Sequence, residues 1–291
     1  MRSERPPTLP RTGETPTSIP QPTAADLQRE GDTLAAEGSI HEAIQCYRRA
    51  VRLEGDNADR HLRLGDAFVF AEDSGQALSH YRRALKANPD HADTHFSIAE
   101  VYRRFGKLKG AITLYRRAVS LSPHNPYYRY RLASACVQAG RQDEAVRELR
   151  EAIRLAPEDG FYHFWLGDLF LQLCRTHDGV QELEQAVGNS PFDDYYCVRL
   201  GMAYCQLGRP EDAVAVFRRA IRLRPSNATY HFLLGDAFAR MGYALRAAMH
   251  YEIAGDLDAY DREYVDRMRR SLSEAGGLVK PEDFGLPPMD H

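Results

Sequence analysis

Cysteine is scarce in this sequence and is not arranged for cross-links. The five cysteines are Cys46, Cys136, Cys174, Cys197 and Cys205, and no two of them have C-x-x-C spacing. An odd number without paired spacing argues against a disulfide framework and against a zinc site. We therefore expect reduced thiols, a cytoplasmic location and no bound metal.

Long apolar runs are also missing. No stretch of about 18 apolar residues occurs, so we expect no transmembrane helix. The N-terminal segment, 1–23, includes basic residues but no apolar core, so we predict no secretory signal. The same segment holds six prolines and seven serines or threonines. Because it cannot build a hydrophobic core, it is predicted to be disordered.

Catalytic motifs are absent from the chain. There is no G-x-x-x-x-G-K-[ST] phosphate loop, no G-x-G-x-x-G at a strand–helix junction, no G-x-S-x-G and no H-E-x-x-H. No strand pattern is present to carry an α/β active site. We therefore predict that the protein is not an enzyme and has no cofactor.

Alanine recurs at a constant interval along most of the chain. A large residue lies three positions before each alanine, and a small residue lies 16 positions before that large one. The alanine column is Ala50, Ala84, Ala118, Ala152, Ala186, Ala220 and Ala254. The large column is Tyr47, Tyr81, Tyr115, Leu149, Leu183, Phe217 and Tyr251. The small column is Gly31, Gly65, Ala99, Ala133, Gly167, Gly201 and Gly235.

Each repeated segment has the pattern of two amphipathic helices. Apolar residues fall three and four apart in both halves, and in the second segment this predicts helices over about 59–71 and 75–87. Small residues allow the two helices to approach closely, and large residues fill the adjacent grooves. Glycine ends the first helix in most segments, at Gly38, Gly106, Gly140, Gly208 and Gly242.

These columns resemble the tetratricopeptide repeat (TPR) family over residues 24–261, without insertion or deletion. The resemblance implies an all-α fold, a right-handed superhelical α-solenoid whose first helices line a concave groove. The seven predicted units are 24–57, 58–91, 92–125, 126–159, 160–193, 194–227 and 228–261. Residues 262–274 have one apolar face, with Tyr264, Val265, Met268 and Leu272, and are predicted to form a capping helix. We predict a flexible tail over 275–291.

The implied geometry places three columns of the first helices on the groove. One is rich in carboxylates, one is rich in aromatic rings, and one lies a helical turn further on. The predicted groove residues are Asp32, Asp66, Glu100, Asp168 and Asp236, then Phe96, Tyr130, Phe164 and Phe232, then Arg104 and Arg240. Carboxylates select Arg or Lys on a guest, and aromatic rings provide contact area. The hypothesis is a scaffold or adaptor that binds a polypeptide with basic and apolar residues. The alternative is a solvated face with packing aromatics.

Other partners are less well supported by the residues. Some family members grip acidic chaperone tails with a Lys/Asn/Arg clamp, but Asp66, Glu100 and Asp168 stand where such a clamp is expected. Heat-shock chaperone tails are therefore disfavoured. The second helices carry Arg-Arg pairs such as Arg48-Arg49 and Arg218-Arg219, which a nucleic acid or an anionic surface could bind. The formal net charge of −3 gives no overall basic field for it. A regulatory or positioning subunit of an enzyme complex, or a self-assembling protein, remains an alternative.

Two features of the repeats need an explanation. Histidine recurs at His61, His95, His163 and His231, but equivalent sites in adjacent repeats are on the order of 10 Å apart, too far to share a zinc ion. The fifth unit has Gly179 where alanine is usual, and Gly188 later in the same helix. Because each mid-helix glycine costs roughly 1 kcal/mol, this helix is predicted to be the softest in the array.

Overall fold

A computed structural model describes residues 22–55 and 57–257. Within this part of the chain there are fourteen α-helices and no strand. The first helices of the successive pairs are α1 (Ala24–Ala36), α3 (Ala58–Phe70), α5 (Ala92–Arg104), α7 (Pro126–Gln138), α9 (Gly160–Gln172), α11 (Asp194–Gln206) and α13 (Ala228–Arg240). The second helices are α2 (Ile40–Glu54), α4 (Ser74–Ala87), α6 (Leu108–Leu121), α8 (Gln142–Leu155), α10 (Thr176–Asn189), α12 (Pro210–Leu223) and α14 (Ala244–Leu257).

The helices repeat with the predicted period. Successive first helices begin at the same constant interval as the alanine column, and the predicted helices 59–71 and 75–87 are found at Ala58–Phe70 and Ser74–Ala87. We call the helix pairs repeat 1 to repeat 7. The described chain forms two compact units: the N-terminal unit ends at Val101 and the C-terminal unit begins at Tyr102.

Polar caps and left-handed turns define where the helices begin and end. Asn57, Asp73 and Asp159 each accept a hydrogen bond from a backbone N–H of the first turn that follows. The predicted glycine turns have positive φ, for example 72° at Gly140. Repeats 2 and 5 make the same turn without glycine, because Glu72 and Cys174 adopt φ values of 61° and 58°.

Each helix pair packs around a small residue of the first helix and a large side chain of the second. A Cβ placed on Gly65 would lie 2.4 Å from the Tyr81 ring, so the ring occupies the space that a side chain would need. Tyr81, Tyr115, Phe217 and Tyr251 are almost fully buried. The predicted pairing of the small and large columns is therefore confirmed.

Repeat 5 uses glycine on both of its helices. A Cβ on Gly179 would lie 2.8 Å from Leu171 Cδ2 and 3.0 Å from the carbonyl oxygen of Gly167. A Cβ on Gly188 would meet nothing within 4 Å. Gly179 thus permits close contact between α9 and α10, and it has a packing role that Gly188 lacks. The prediction that α10 is the softest helix stays a prediction.

The last helix has an apolar outer stripe. Leu245, Met249 and Ile253 are exposed at i, i+4 and i+8 of α14, whereas the same positions of α12 hold Glu211, Ala215 and Arg219. A capping helix would need such a surface. The predicted capping helix 262–274, the tail 275–291 and residues 1–21 of the predicted disordered segment lie outside the described residues.

Candidate functional site

The predicted carboxylates are engaged by their own chain in the N-terminal unit. The hydroxyl of Tyr47 donates to Asp32 at 2.7 Å, and the hydroxyl of Tyr81 donates to Asp66 at 2.7 Å. Ser97 also donates to Asp66, at 3.2 Å. Burial raises the pKa of the Asp66 carboxyl, against these hydrogen bonds. These two carboxylates therefore stabilise the repeats themselves.

The predicted carboxylates of the C-terminal unit are also engaged by their own chain. The hydroxyl of Tyr251 donates to Asp236 at 2.6 Å. Asp168 forms an ion pair with Arg199 and accepts a hydrogen bond from Gln172 at 2.8 Å. The Asp168 side chain is only 14% exposed. Each acid with a described contact already accepts from a donor of this chain. The carboxylates therefore do not form the expected row of free acids that would select a basic guest.

Three of the carboxylates also contact the next repeat. The partner on the following first helix lies at position i+31: Arg63 is 3.6 Å from Asp32, Ser97 bonds to Asp66, and Arg199 pairs with Asp168. The carboxylate column breaks at Ser134 and Met202, and the residues at i+31 are then Trp165 and Leu233. Where the acid is missing, its polar partner is missing too.

The first break opens a crevice between α7 and α9. Its volume is about 250 Å³. Tyr130 and Trp165 form an aromatic wall, with ring centroids 5.5 Å apart, and the Phe161 ring centroid lies 4.8 Å from that of Tyr130 in an edge contact. Trp165 remains 37% exposed. The residues that line the crevice are Tyr130, Ala133, Ser134, Val137, Gln138, Leu149, Trp165, Asp168, Leu169 and Gln172.

The second break opens an equivalent crevice between α11 and α13, of about 210 Å³. Arg240 lies at its rim, exposed, and donates to the Cys205 carbonyl at 3.3 Å. The lining residues are Met202, Cys205, Gln206, Phe217, Leu233, Asp236 and Arg240. Each of them occupies the position, two repeats later, of a residue that lines the first crevice.

The junction between α9 and α11, which lies between these crevices, is filled. Arg199 and Asp168 bridge the two helices. Phe164 stacks on Tyr196 with ring centroids 4.6 Å apart, and it is 5% exposed. Phe164 is therefore a core residue, which corrects its predicted place on the groove surface.

The remaining predicted residues are dispersed. Phe96 and Glu100 are half-buried in the N-terminal unit, and Arg104 is exposed at the end of α5. Phe232 packs on Tyr251 with ring centroids 5.5 Å apart. Sequence reasoning missed Trp165 and Leu233. The pairing of columns at i and i+31 was the signal that could have found them.

The arginines of the second helices are placed against aromatic rings. Arg48 lies 5.3 Å from the centroid of the Phe68 ring, and Arg218 lies 5.7 Å from that of Phe238, at the equivalent positions of repeats 6 and 7. Arg150 lies 5.9 Å from the Phe170 ring centroid. Such cation–π contacts stabilise the array. They give these three arginines a role within the array.

The histidine column pairs with the second helix of the same repeat. The Nδ1 atoms of His61 and His80 are 3.1 Å apart, and those of His231 and His250 are 3.3 Å apart. His163 Nδ1 is 2.7 Å from a Glu182 oxygen. Burial lowers the pKa of His80 and of His250 to about 4, whereas the hydrogen bond to Glu182 raises the pKa of His163. No group of three or more potential metal ligands occurs in the described ranges.

This geometry defines a helical-repeat protein with exposed crevices between first helices. Tetratricopeptide repeat family models match residues 62–126 and 103–163, and a model described as TPR repeat matches residues 31–69 and 201–242. Together these matches cover more than half of the chain. The chain therefore belongs to the tetratricopeptide repeat family, as the repeat columns predicted, and it is a protein-interaction scaffold in that general sense.

Solved structures share the fold, which confirms the predicted all-α solenoid. The C-terminal part of a TPR repeat-containing protein from Cytophaga hutchinsonii superposes with a TM-score of 0.68 at 15% identity, over 82% of this chain and 98% of that one. PilF of Pseudomonas aeruginosa gives a TM-score of 0.60 at 16% identity, over 71% and 94%. YrrB, described as a TPR protein with an unusual peptide-binding site, gives 0.56 at 19% identity, over 65% and 97%.

No curated protein matches the chain significantly. None of the helices in the described part of the chain is long and apolar enough to cross a membrane.

Proposed function

We propose that this scaffold binds a segment of a partner polypeptide along the first helices of its C-terminal unit, with the crevice between α7 and α9 as the anchor. The observation that carries the proposal is Trp165, which is 37% exposed beside Tyr130 on a crevice of about 250 Å³. A large aromatic side chain left partly exposed beside a concave surface is typical of a binding hot spot.

The chemistry of the crevice suits a bulky apolar side chain with flanking main chain. Ala133, Val137 and Leu169 provide apolar lining. At the rim, Gln138 and Gln172 are exposed amides that can donate to and accept from a peptide backbone. Burying one large apolar side chain contributes about 2 kcal/mol, so further contacts along the face are needed for useful affinity.

The preference for a basic guest does not enter the proposal. Asp32, Asp66, Asp168 and Asp236 have internal partners, and of these only Asp168 lines the first crevice, where Arg199 already neutralises it. A lysine or arginine of the guest would have to displace an existing donor. We retain Tyr130 and Asp168 as lining residues of the first crevice and assign Asp32 and Asp66 of the N-terminal unit to structural support.

The comparisons support this proposal at the level of fold. YrrB has a peptide-binding site by its description and shares the helix-pair architecture. Proteins of this family are typically non-catalytic, so we propose that the chain binds its partner without catalysis and without a cofactor. The cysteines described are free thiols, and we further propose a cytoplasmic location.

A random peptide-display library selected on the full chain tests the proposal. The matched control is Ser134→Asp/Trp165→Arg, which copies the Asp168–Arg199 pair of the closed junction into the open one. We expect peptides to be enriched on the natural chain, with affinity falling at least tenfold on the control variant, measured by the fluorescence anisotropy of labelled peptides. Circular dichroism checks that the variant is folded. If no enriched peptide loses affinity on the control variant, the proposal is contradicted.

A further inference from the structure

We infer that one extended peptide occupies both open crevices, with two bulky apolar side chains about six residues apart and an acidic residue beside the second. This inference rests on the proposed function, and it specifies the chemistry of the partner.

The two crevices occupy equivalent positions of the repeat. Ser134, Gln138 and Trp165 of the first crevice correspond to Met202, Gln206 and Leu233 of the second, two repeats later. The same columns at the junction between them hold Asp168, Gln172 and Arg199. A guest with two anchors requires two equivalent sites, and one filled junction separates these two crevices.

The spacing of the two crevices sets the number of residues between the two anchors. α9 packs against α11, and α11 packs against α13, within the C-terminal unit. Packed helices lie about 8–10 Å apart, so crevices two repeats apart are separated by about 20 Å. An extended chain advances roughly 3.3 Å per residue, so about six residues span this distance. The exposed amides of Gln138, Gln172 and Gln206 lie along the same column, where they can bond to the peptide backbone between the anchors.

The two crevices differ in charge at one lining position. The first crevice has an amide, Gln172, where the second has the exposed cation Arg240. Met202 and Leu233 give the second crevice an apolar wall in place of Ser134 and Trp165, beside Phe217 and Asp236. A carboxylate next to the second anchor would pair with Arg240 by a charge-assisted hydrogen bond. Nothing comparable favours an acidic residue at the first anchor, so the charge sets the direction in which the peptide lies.

The gain from two anchors follows from effective concentration. Once one side chain is bound, the second binds intramolecularly, and affinity exceeds that of a single anchor by a factor of about 100 or more when the spacer fits. Closing either crevice should therefore cost more than the loss of one independent contact.

Three display libraries test the inference on the full chain. Each fixes two positions as Phe, Leu or Met, separated by two, five or nine random residues. The selected peptides are measured on the natural chain, on Ser134→Asp/Trp165→Arg and on Met202→Asp/Leu233→Arg. The variants Trp165→Ala and Leu233→Ala repeat the measurement in case the introduced ion pairs impair folding. We expect the five-residue spacer to be enriched and each closed crevice to reduce affinity at least tenfold.

The outcomes separate the inference from the proposed function. Peptides that lose affinity only when the first crevice is closed, without preference for a spacer, would overturn the two-anchor inference and leave the proposed function intact. Peptides indifferent to both closures, or no enrichment, would overturn both. Enrichment of a spacer other than five residues would contradict the extended peptide.

The charge is tested by Arg240→Gln, which places at the second crevice the amide found at the first. We expect affinity for peptides with Glu beside the second anchor to fall about fivefold, as expected for a single exposed charge-assisted contact. Affinity for the matching Gln peptides should not change. An equal effect on both peptides would overturn the acidic assignment.

Discussion

The junction between α9 and α11 and the junctions on either side of it are formed by equivalent helices, but they differ at the pair of positions i and i+31. Asp168 and Arg199 fill the middle junction. Ser134 with Trp165, and Met202 with Leu233, leave the neighbouring ones open. In a repeat array the shared period builds the framework, and the departures from it create the sites. The departures come in pairs, because neighbouring first helices bring residue i against residue i+31.

The largest expected effect on stability comes from breaking the filled junction. Arg199→Ala leaves Asp168, 14% exposed, without its cation. We expect the free energy of unfolding to fall by about 2 kcal/mol, less than for a fully buried pair because both groups retain some solvent. Urea unfolding of the full chain measures it.

A control sharpens this prediction. Asp168→Ser/Arg199→Ala removes both charges and should recover most of the lost stability. Equal losses for Arg199→Ala and the double variant would show that the ion pair does not hold the filled junction.

The next prediction compares the two glycines of α10, the helix that connects α9 and α11 of the filled junction. Alanine is normally about 1 kcal/mol better than glycine in a helix interior. At Gly188, where a Cβ meets nothing within 4 Å, Gly188→Ala should therefore stabilise by about that amount. Gly179→Ala should destabilise by about 1 kcal/mol, because its Cβ would lie 3.0 Å from the Gly167 carbonyl oxygen. Thermal unfolding that shifts upward for both variants would remove the packing role of Gly179.

The smallest expected effect concerns pH and compares repeats within the histidine column. The folded pKa of His80 is about 4, below its ordinary 6.5, because of burial and of the nearby His61, Arg83 and Arg48. Protonation therefore favours the unfolded chain. The stability from the neutral His61–His80 pair is present above pH 6.5 and is lost as the pH falls toward 4. His163 has the opposite sign: its pKa is raised by Glu182, so its contribution is present at low pH and is lost as pH rises through its folded pKa.

His80→Leu tests the sign, since repeat 3 naturally pairs His95 with Leu114 at these positions. Between pH 7 and pH 5 we expect the variant to lose about 1 kcal/mol less stability than the natural chain, after allowance for the partial exposure of the imidazole. Urea midpoints at the two pH values measure the difference. An unchanged pH dependence would contradict the role of this histidine pair.

The framework was predictable from the sequence because every column is sampled seven times. The repetition of Ala50 and its equivalents defines the helix phase, and the helices of repeat 2 were predicted to within one residue at each end. Gly179 shows the limit of this reasoning. Its helix contains two glycines, and although Gly179 stands in the alanine column, only the structure shows that a Cβ there would meet Leu171 and the Gly167 carbonyl while one on Gly188 would meet nothing.

The site was predictable in part. Tyr130, Asp168, Asp236 and Arg240 do line the crevices. Equivalent residues of successive repeats show what the repeats share, but they do not show which side chains adjacent helices bring together. Trp165 was missed because most of its column holds polar residues such as Arg63, Ser97 and Arg199. The carboxylates were misjudged for the same reason, since their donors come from other columns.

The most direct test of the central claim uses the only tryptophan of the chain, Trp165. A tryptophan-free peptide from the five-residue-spacer library is titrated into the full chain while Trp165 emission and the anisotropy of a labelled copy of the peptide are followed. If the peptide occupies the crevice between α7 and α9, the emission should shift to shorter wavelength as water leaves the ring, with the same dissociation constant as the anisotropy. Saturable binding that leaves the Trp165 emission unchanged would place the peptide elsewhere and contradict the account.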